Sequence, residues 1–136
     1  MTDTMASPSK PDRMAWAGWA FSGLFIAFMA MDVSMKLLDL DVVKTAMTQL
    51  GYPPQDGFLI GVIETICLVL YIVPRTSVLG AILLTAVMGG AIASHLRMGD
   101  PLFTHILFGV YLGLFLWGGL WFRDARLREL IPLRRQ

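Results

Sequence analysis

The sequence predicts an all-α integral membrane protein, a bundle of four transmembrane helices with both termini in the cytoplasm. The first observation behind this is composition: 56% of the 136 residues are hydrophobic, only 15% are charged, and the mean hydropathy is +0.65. Roughly a quarter of the residues in a soluble domain are charged. The second is that the apolar residues form four stretches, each near the ~20 residues that a helix needs to cross a bilayer. The third is the distribution of basic residues along the chain.

The four predicted spans follow the apolar stretches, which cover residues 14–38, 58–73, 78–96 and 102–122. Leu, Ala, Ile, Met, Phe and Gly dominate them, and no alternation with a period of two indicates strands. The second stretch is short. We therefore expect it to begin in the turn before it or to lie where the bilayer is thinner.

The connections contain residues that typically end or begin helices. Pro74 ends the second span, and the hydroxyl of Thr76 or Ser77 can cap the third. Gly99 and Pro101 separate the third span from the fourth.

A short amphipathic helix is predicted over residues 41–50, between the first and second spans. Its apolar residues share one side at helical spacing, which places the helix at the membrane interface or across the end of the bundle. Asp39 or Asp41 would be its N-cap, and Gly51 would end it.

The ends of the chain differ in composition from the spans. Residues 1–13 are predicted to be a disordered polar N-terminal tail rather than a signal peptide. Residues 14–122 form the transmembrane bundle. Residues 123–136 are predicted to be a basic cytoplasmic tail that rests on anionic headgroups.

The distribution of basic residues orients the bundle. With the N-terminus inside, eight Lys and Arg residues fall on the cytoplasmic side and three on the other. All four tryptophans fall towards the same cytoplasmic interface, where indoles prefer to lie. Both signals predict a multi-pass protein of the plasma or inner membrane with both termini in the cytoplasm.

Ionisable residues in the spans gather near the outer side of the membrane. At a helix rise of ~1.5 Å per residue, Asp32 lies about 24 Å from Trp16 along the first span, and the others reach a similar depth. Such groups usually face the bundle interior, because an unpaired charge at membrane depth is costly. The cytoplasmic half is expected to bury no charge. The predicted polar pocket consists of Asp32, Lys36, Glu64, His95, Arg97 and His105.

The role of Glu64 is open at this point. Asp32 and Lys36 can pair along one helix because they are four residues apart, but Glu64 has no such partner on its own helix. It would pair across the bundle with Lys36, His95 or Arg97, or be protonated. Two interpretations remain, a structural ion pair that joins helices and a binding or proton-handling site.

Other site types are disfavoured. His95, His105 and Glu64 could form a two-histidine, one-carboxylate metal site, but no ligand spacing on one helix supports it and we predict no metal. Cys67 is the only cysteine, so an intrachain disulfide is excluded and the residue is expected to serve in packing. A net charge of +1 without a basic stripe predicts no nucleic-acid partner.

Glycines predict where helices pack closely, because small residues let two backbones approach. The candidates are Gly57-x-x-x-Gly61, Gly109-x-x-x-Gly113 and Gly89-Gly90.

The order of several short motifs between residues 14 and 133 resembles the DoxX-like family of small membrane proteins. The motifs are Lys36-Leu37, Gly51-Tyr52-Pro53, Gly61-x-x-Glu64, Pro74-Arg75-Thr76, Gly89-Gly90, His95, Gly99-Asp100-Pro101 and Leu116-Trp117-Gly118-Gly119-Leu120-Trp121. The resemblance implies a four-helix membrane bundle. It also implies association with a quinol-oxidase or thiosulfate:quinone oxidoreductase complex, or with methylamine-utilisation maturation. It supplies no catalytic residues.

Three functions stay open. The first is an accessory subunit of a membrane redox or quinone-linked complex, with quinone the candidate cofactor and the other subunits the candidate partners. It would not transfer electrons alone, because the sequence has no haem ligation pattern, flavin fingerprint or cysteine pair. The second is a small-molecule or lipid-binding protein, including an enzyme that uses Glu64 as acid or base. The third is a structural or assembly factor. A homo-oligomer is compatible with each, and the lipid bilayer is a partner in all.

Overall fold

Helices account for the regular structure of the protein. The computed structural model describes residues 12–133, which contain no β-strand, and this confirms the predicted all-α class. The helices of this part are α1 Arg13–Leu37, α2 Asp41–Gln49, α3 Asp56–Ile72, α4 Ser77–Met98, α5 Phe108–Arg123 and α6 Ala125–Leu130. A π-helical turn, Leu102–Ile106, precedes α5. Most of the predicted N-terminal tail, residues 1–11, and the last arginines, Arg134 and Arg135, lie outside the described residues.

Four of these helices form an antiparallel bundle. Helix α1 packs against α3 and α5, and α4 packs against the same two helices, so the four close into a ring. At the centre of the ring Phe25, Tyr71, Leu84 and Leu116 are almost completely buried. The Tyr71 hydroxyl donates to the carbonyl of Leu116 at 3.0 Å and lies 2.9 Å from Ser22 Oγ. A single tyrosine thus hydrogen-bonds to both α1 and α5.

Within residues 12–133, three segments are long and apolar enough to cross a membrane. These are Arg13–Leu37, Ser77–Met98 and the continuous stretch Leu102–Arg123. Helix α3 has 17 residues, which at the helical rise is about 26 Å. That length is slightly less than the ~30 Å hydrocarbon core. The three longer segments account for three of the four predicted spans.

Helix α2 begins at the predicted residue, Asp41, and ends before Gly51 as predicted, but its N-cap differs from the prediction. Gly51, with φ of 78°, follows its C-terminus, and Gly99 at 72° ends α4 in the same way. The predicted aspartate N-cap is wrong, because Leu40 holds that position and no side chain caps the helix. The Asp39 carboxylate instead pairs with Lys44 at 3.0 Å, and this hydrogen bond raises the pKa of Lys44.

The predicted hydroxyl cap of α4 is also wrong. Thr76 is the N-cap residue, but its side chain makes no capping bond to α4. Thr76 Oγ1 donates to the carbonyl of Leu70 and Ser77 Oγ to that of Tyr71, each at 2.8 Å. Because Pro74 ends α3 and the turn is so short, these hydroxyls satisfy the last carbonyls of α3 instead.

The glycine predictions are confirmed for some positions and wrong for others. A Cβ on Gly57, Gly61 or Gly109 would lie within 3 Å of a side chain of a neighbouring helix. A Cβ on Gly89, Gly90 or Gly113 would meet no atom within 4 Å, so these residues do not mediate packing in the bundle. The two tightest approaches, at Gly80 and Gly119, were not predicted. Gly80 packs on the backbone of Tyr71, and Gly18 and Gly119 bring α1 and α5 together.

We predict that Gly80→Ala destabilises the protein and that Gly89→Ala does not. A Cβ on Gly80 would overlap the Tyr71 backbone at the tight α3–α4 turn, and overpacking of this kind typically costs about 1–3 kcal/mol. Gly89 has free space and alanine favours helix by about 1 kcal/mol. Thermal unfolding in detergent, followed by far-UV circular dichroism, should give a lower midpoint for Gly80→Ala alone. Equal midpoints for the two variants would contradict the assigned contact.

Candidate functional site

A cluster of three charged side chains joins α1 to α3. Lys36 Nζ donates to Asp32 Oδ2 and to Glu64 Oε2, both at 2.6 Å. The exposed fractions of the three side chains are 13% for Lys36, 26% for Asp32 and 7% for Glu64. The sequence allowed several partners for Glu64, and in the structure its partner is Lys36. We call these three residues the charged cluster.

Local sequence explains how the cluster forms. Asp32 and Lys36 share a face of α1 because they are four residues apart. On α3, a Cβ at Gly61 would lie 2.6 Å from Lys36 Cβ, so only glycine lets the two helices approach this closely. Glu64 follows one turn later and therefore reaches the Lys36 ammonium.

The charged cluster lines a cavity of about 150 Å³ between the helices of the bundle. His95 of α4 and His105 of the π-helical turn also line it, and apolar residues of α1, α4 and α5 form the rest of the wall. Among these, the rings of Phe28 and Phe108 meet edge to face at 5.3 Å. The cavity therefore combines charged, imidazole and aromatic surfaces in a small volume. Five of the six residues of the predicted pocket line it.

The two histidines contact each other and are each held by a neighbour. Their ring centroids are 5.6 Å apart with the planes at 63°. His95 Nδ1 lies 2.6 Å from Asp100 Oδ2, and His105 Nδ1 lies 2.8 Å from Thr104 Oγ1. Asp100 was not among the predicted site residues, although it directly follows Gly99, which ends α4. Its carboxylate orients the His95 ring.

Arg97 does not belong to the cavity, which corrects the sequence prediction. Its Nη2 donates to the carbonyl of Leu50 at 2.6 Å, and its guanidinium lies over the Tyr52 ring at 5.6 Å from the centroid. The physical reason is helical geometry, since two residues beyond His95 correspond to a rotation of about 200°. Arg97 instead fastens the end of α2 to α4.

The opposite end of the bundle contains a half-buried cation that the sequence did not predict. The Arg123 guanidinium lies 4.3 Å from the Trp19 ring and 5.5 Å from the Tyr71 ring. Its Nε and Nη2 atoms are buried and have no hydrogen-bond partner. The expectation that this half buries no charge is therefore wrong. The aromatic faces stabilise the cation in place of a carboxylate.

Within residues 12–133, no three His, Cys, Asp or Glu side chains lie close enough together to hold a metal ion. The hypothetical set of His95, His105 and Glu64 is not assembled, and Glu64 faces Lys36 instead. Cys67 is buried on α3 and free.

Comparison with known proteins relates the chain to one family. The family model described as the DoxX-like family matches residues 20–119. This range is well over half of the chain and includes all residues of the cavity. The comparisons with curated proteins and with solved structures found no match.

We predict that Lys36→Met destabilises the bundle more than a triple variant in which Lys36 and both carboxylates are replaced by neutral residues. In Lys36→Met two carboxylates remain whose side chains are only 26% and 7% exposed, and breaking a buried pair typically costs about 3–5 kcal/mol. The neutral triple variant Asp32→Asn, Lys36→Met, Glu64→Gln should recover most of that loss. Chemical unfolding in detergent would measure the difference.

Lys44→Met is the matched control. Lys44 pairs with Asp39 at the surface, where both side chains are well exposed, and such pairs contribute about 0–1 kcal/mol. A loss for Lys36→Met no larger than for Lys44→Met would show that the charged cluster does not hold α1 and α3 together.

Proposed function

Because the chain belongs to the DoxX-like family and is an integral membrane protein, we propose that its cavity binds the polar head of a small lipid-soluble molecule. The ligand class that fits best is a quinone or quinol, and the protein acts as an accessory subunit of a membrane redox complex. The observation that carries the proposal is the convergence of the charged cluster and two histidines on one cavity. The proposal also includes the membrane topology, namely the number of spans and the side on which the termini lie.

The proposed topology has four spans, with α3 as the second. Helix α3 packs against α1 and α4, which are both long enough to cross a membrane. Its outward side chains Leu59, Ile66 and Val69 are more than half exposed, and such an apolar surface needs lipid to cover it. Four spans put both termini on one side. The basic residues then favour the cytoplasm for that side.

The geometry supports a ring with oxygen substituents as the ligand. Asp32 and Glu64 each have a second carboxylate oxygen that Lys36 does not engage, and carboxylate oxygens accept hydrogen bonds from hydroxyl groups. The Lys36 ammonium and the histidine nitrogens are donors for carbonyl oxygens. Aromatic and aliphatic walls suit the ring itself, and the volume suits a headgroup better than a drug-sized ligand. Polar groups from α1, α3, α4 and the π-helical turn would then orient the ring.

The proposed role of the protein in the complex is ligand binding and proton exchange. Glu64 would accept a proton from a bound hydroxyl or return one. Electrons would pass through a partner subunit, since the sequence has one cysteine and no flavin or haem motif. The same cavity would serve a stand-alone small-molecule or lipid-binding protein, or an enzyme that uses Glu64 as acid or base. A purely structural or assembly role would need only the ion pairs.

We predict that positions on α2 and α6 lie on opposite sides of the membrane. Cys67→Ser removes the only cysteine, and single cysteines can then replace the exposed Gln49 and Glu129. A membrane-impermeant maleimide on intact cells should label Gln49→Cys, and Glu129→Cys only after permeabilisation. If α3 did not cross, three spans would place both positions on the same side, and both would react equally.

We predict that a quinone-type molecule co-purifies with the protein and depends on Glu64. Mild purification from native membranes, followed by mass spectrometry of lipids and proteins, should find it near stoichiometric amounts together with an oxidoreductase subunit. Glu64→Gln should lower the bound amount about tenfold, since a charge-assisted hydrogen bond is worth roughly that factor. Asp41→Asn on the exposed start of α2 is the control and should leave it unchanged. An empty, partnerless bundle that Glu64→Gln only destabilises would favour the structural role.

A further inference from the structure

A cleft at the end of the bundle opposite α2 has features that the proposed function does not use. Its volume is about 520 Å³. One wall is the α3–α4 turn with Pro74, Arg75 and Val78, and the other is α6 with Arg126 and Leu130. We call it the basic cleft. In the four-span topology proposed above, on which this inference rests, the ends of the bundle helices place the basic cleft at the level of the lipid headgroups.

The two arginines of the basic cleft have no carboxylate partner. Within residues 12–133, neither Arg75 nor Arg126 lies within 4.0 Å of an acidic side chain, and both are exposed. Asp124 also lines the cleft, but its Oδ1 accepts the backbone N–H of Arg126 at the start of α6. The cleft therefore presents two unpaired guanidinium groups and one partly engaged carboxylate.

The neighbouring arginines differ from this pair because their guanidinium groups contact other groups of the protein. Arg123 stacks on Trp19 and Tyr71. Arg128 Nη1 donates to the carbonyls of Trp121 and Phe122, each at 2.9 Å. Of these four arginines, only the two of the basic cleft remain available for an external anion. Guanidinium groups bind phosphate oxygens in a bidentate manner.

An apolar groove of about 260 Å³ lies beside the cleft. Its floor is the α5 surface around Gly118, and Trp117 and Trp121 flank it. Both indole N–H groups are already satisfied, by Thr85 Oγ1 and by the carbonyl of Ile131, so the groove presents only apolar surface. Leu127 of α6 lines both the groove and the basic cleft. The two features therefore meet at one short helix.

We propose that this end of the protein binds one anionic phospholipid. The phosphate lies between Arg75 and Arg126, and one acyl chain occupies the apolar groove between Trp117 and Trp121. Charge complementarity selects the headgroup, and the adjoining groove selects a molecule with a long apolar chain over free phosphate. Such a lipid would fasten α6 to the α3–α4 turn across the end of the bundle.

Tryptophan quenching by brominated lipid tests the proposal. In a Trp16→Phe, Trp19→Phe background the remaining tryptophans are Trp117 and Trp121, which flank the groove. The protein is placed in phosphatidylcholine nanodiscs, and phosphatidylglycerol with brominated acyl chains is added in increasing proportion. We expect saturable quenching at a lower mole fraction than with brominated phosphatidylcholine.

Charge variants decide whether the basic cleft is responsible. Arg75→Gln with Arg126→Gln should raise the half-saturating proportion of brominated phosphatidylglycerol at least about tenfold, the factor expected for lost charge-assisted bonds. Arg13→Gln is the control, because Arg13 is exposed on the first turn of α1 and outside the cleft. Three results would overturn the proposal. They are equal quenching by both lipids, an effect of Arg13→Gln as large as that of the double variant, and no quenching because a protein segment covers the groove.

Discussion

The bundle depends most on the ammonium of Lys36, which lies between the carboxylates of Asp32 and Glu64. A charge removed from water is costly unless opposite charges and hydrogen bonds compensate it, and here each carboxylate accepts a hydrogen bond from the ammonium at 2.6 Å. The requirement constrains the surrounding structure. Helices α1 and α3 must approach closely, which requires glycine at position 61, and the α1–α3 connection must place Glu64 at the depth of Lys36. The cavity exists because this pair of helices is held together on one side while α4 and α5 form the other.

Polar and charged groups inside the bundle are compensated differently at its two ends. At the α2 end, charges pair with charges, and Arg97 binds the backbone of α2. At the other end, Arg123 has aromatic rings instead of a carboxylate around it, and Tyr71 satisfies its hydroxyl with Ser22 and Leu116. The consequence is that two carboxylates and one ammonium line the cavity nearer the α2 end, while two unpaired guanidinium groups and one partly engaged carboxylate line the cleft at the opposite end. A polar guest inside the bundle and an anionic lipid outside it would therefore occupy opposite ends.

The sequence predicted depth along the helices better than rotation around them. Apolar length and the glycines at 51 and 99 indicated the helices and their ends. Five residues of similar predicted depth line one cavity, Asp32, Lys36, Glu64, His95 and His105. Arg97 has the right depth but the wrong side of α4. The outward Gly89 and Gly90 and the missed Gly80 are errors of the same kind, because rotation depends on packing between helices that are distant in sequence. The hydroxyls of Thr76 and Ser77 were assigned to the wrong helix end, since residue type alone does not tell which carbonyls or amides a tight turn leaves free.

The composition of the charged cluster bears on whether it is only a structural element. Lys36 already has a partner on its own helix in Asp32, and a one-to-one pair between α1 and α3 would suffice to join them. The structure contains two carboxylates for one ammonium, both beside the same cavity. In a low-dielectric site the second negative charge is unfavourable unless a proton or a hydrogen-bond donor compensates it. A cluster with one carboxylate in excess therefore requires either a proton or a hydrogen-bond donor, and in the proposed function a hydroxyl-bearing ring in the cavity would supply the donor.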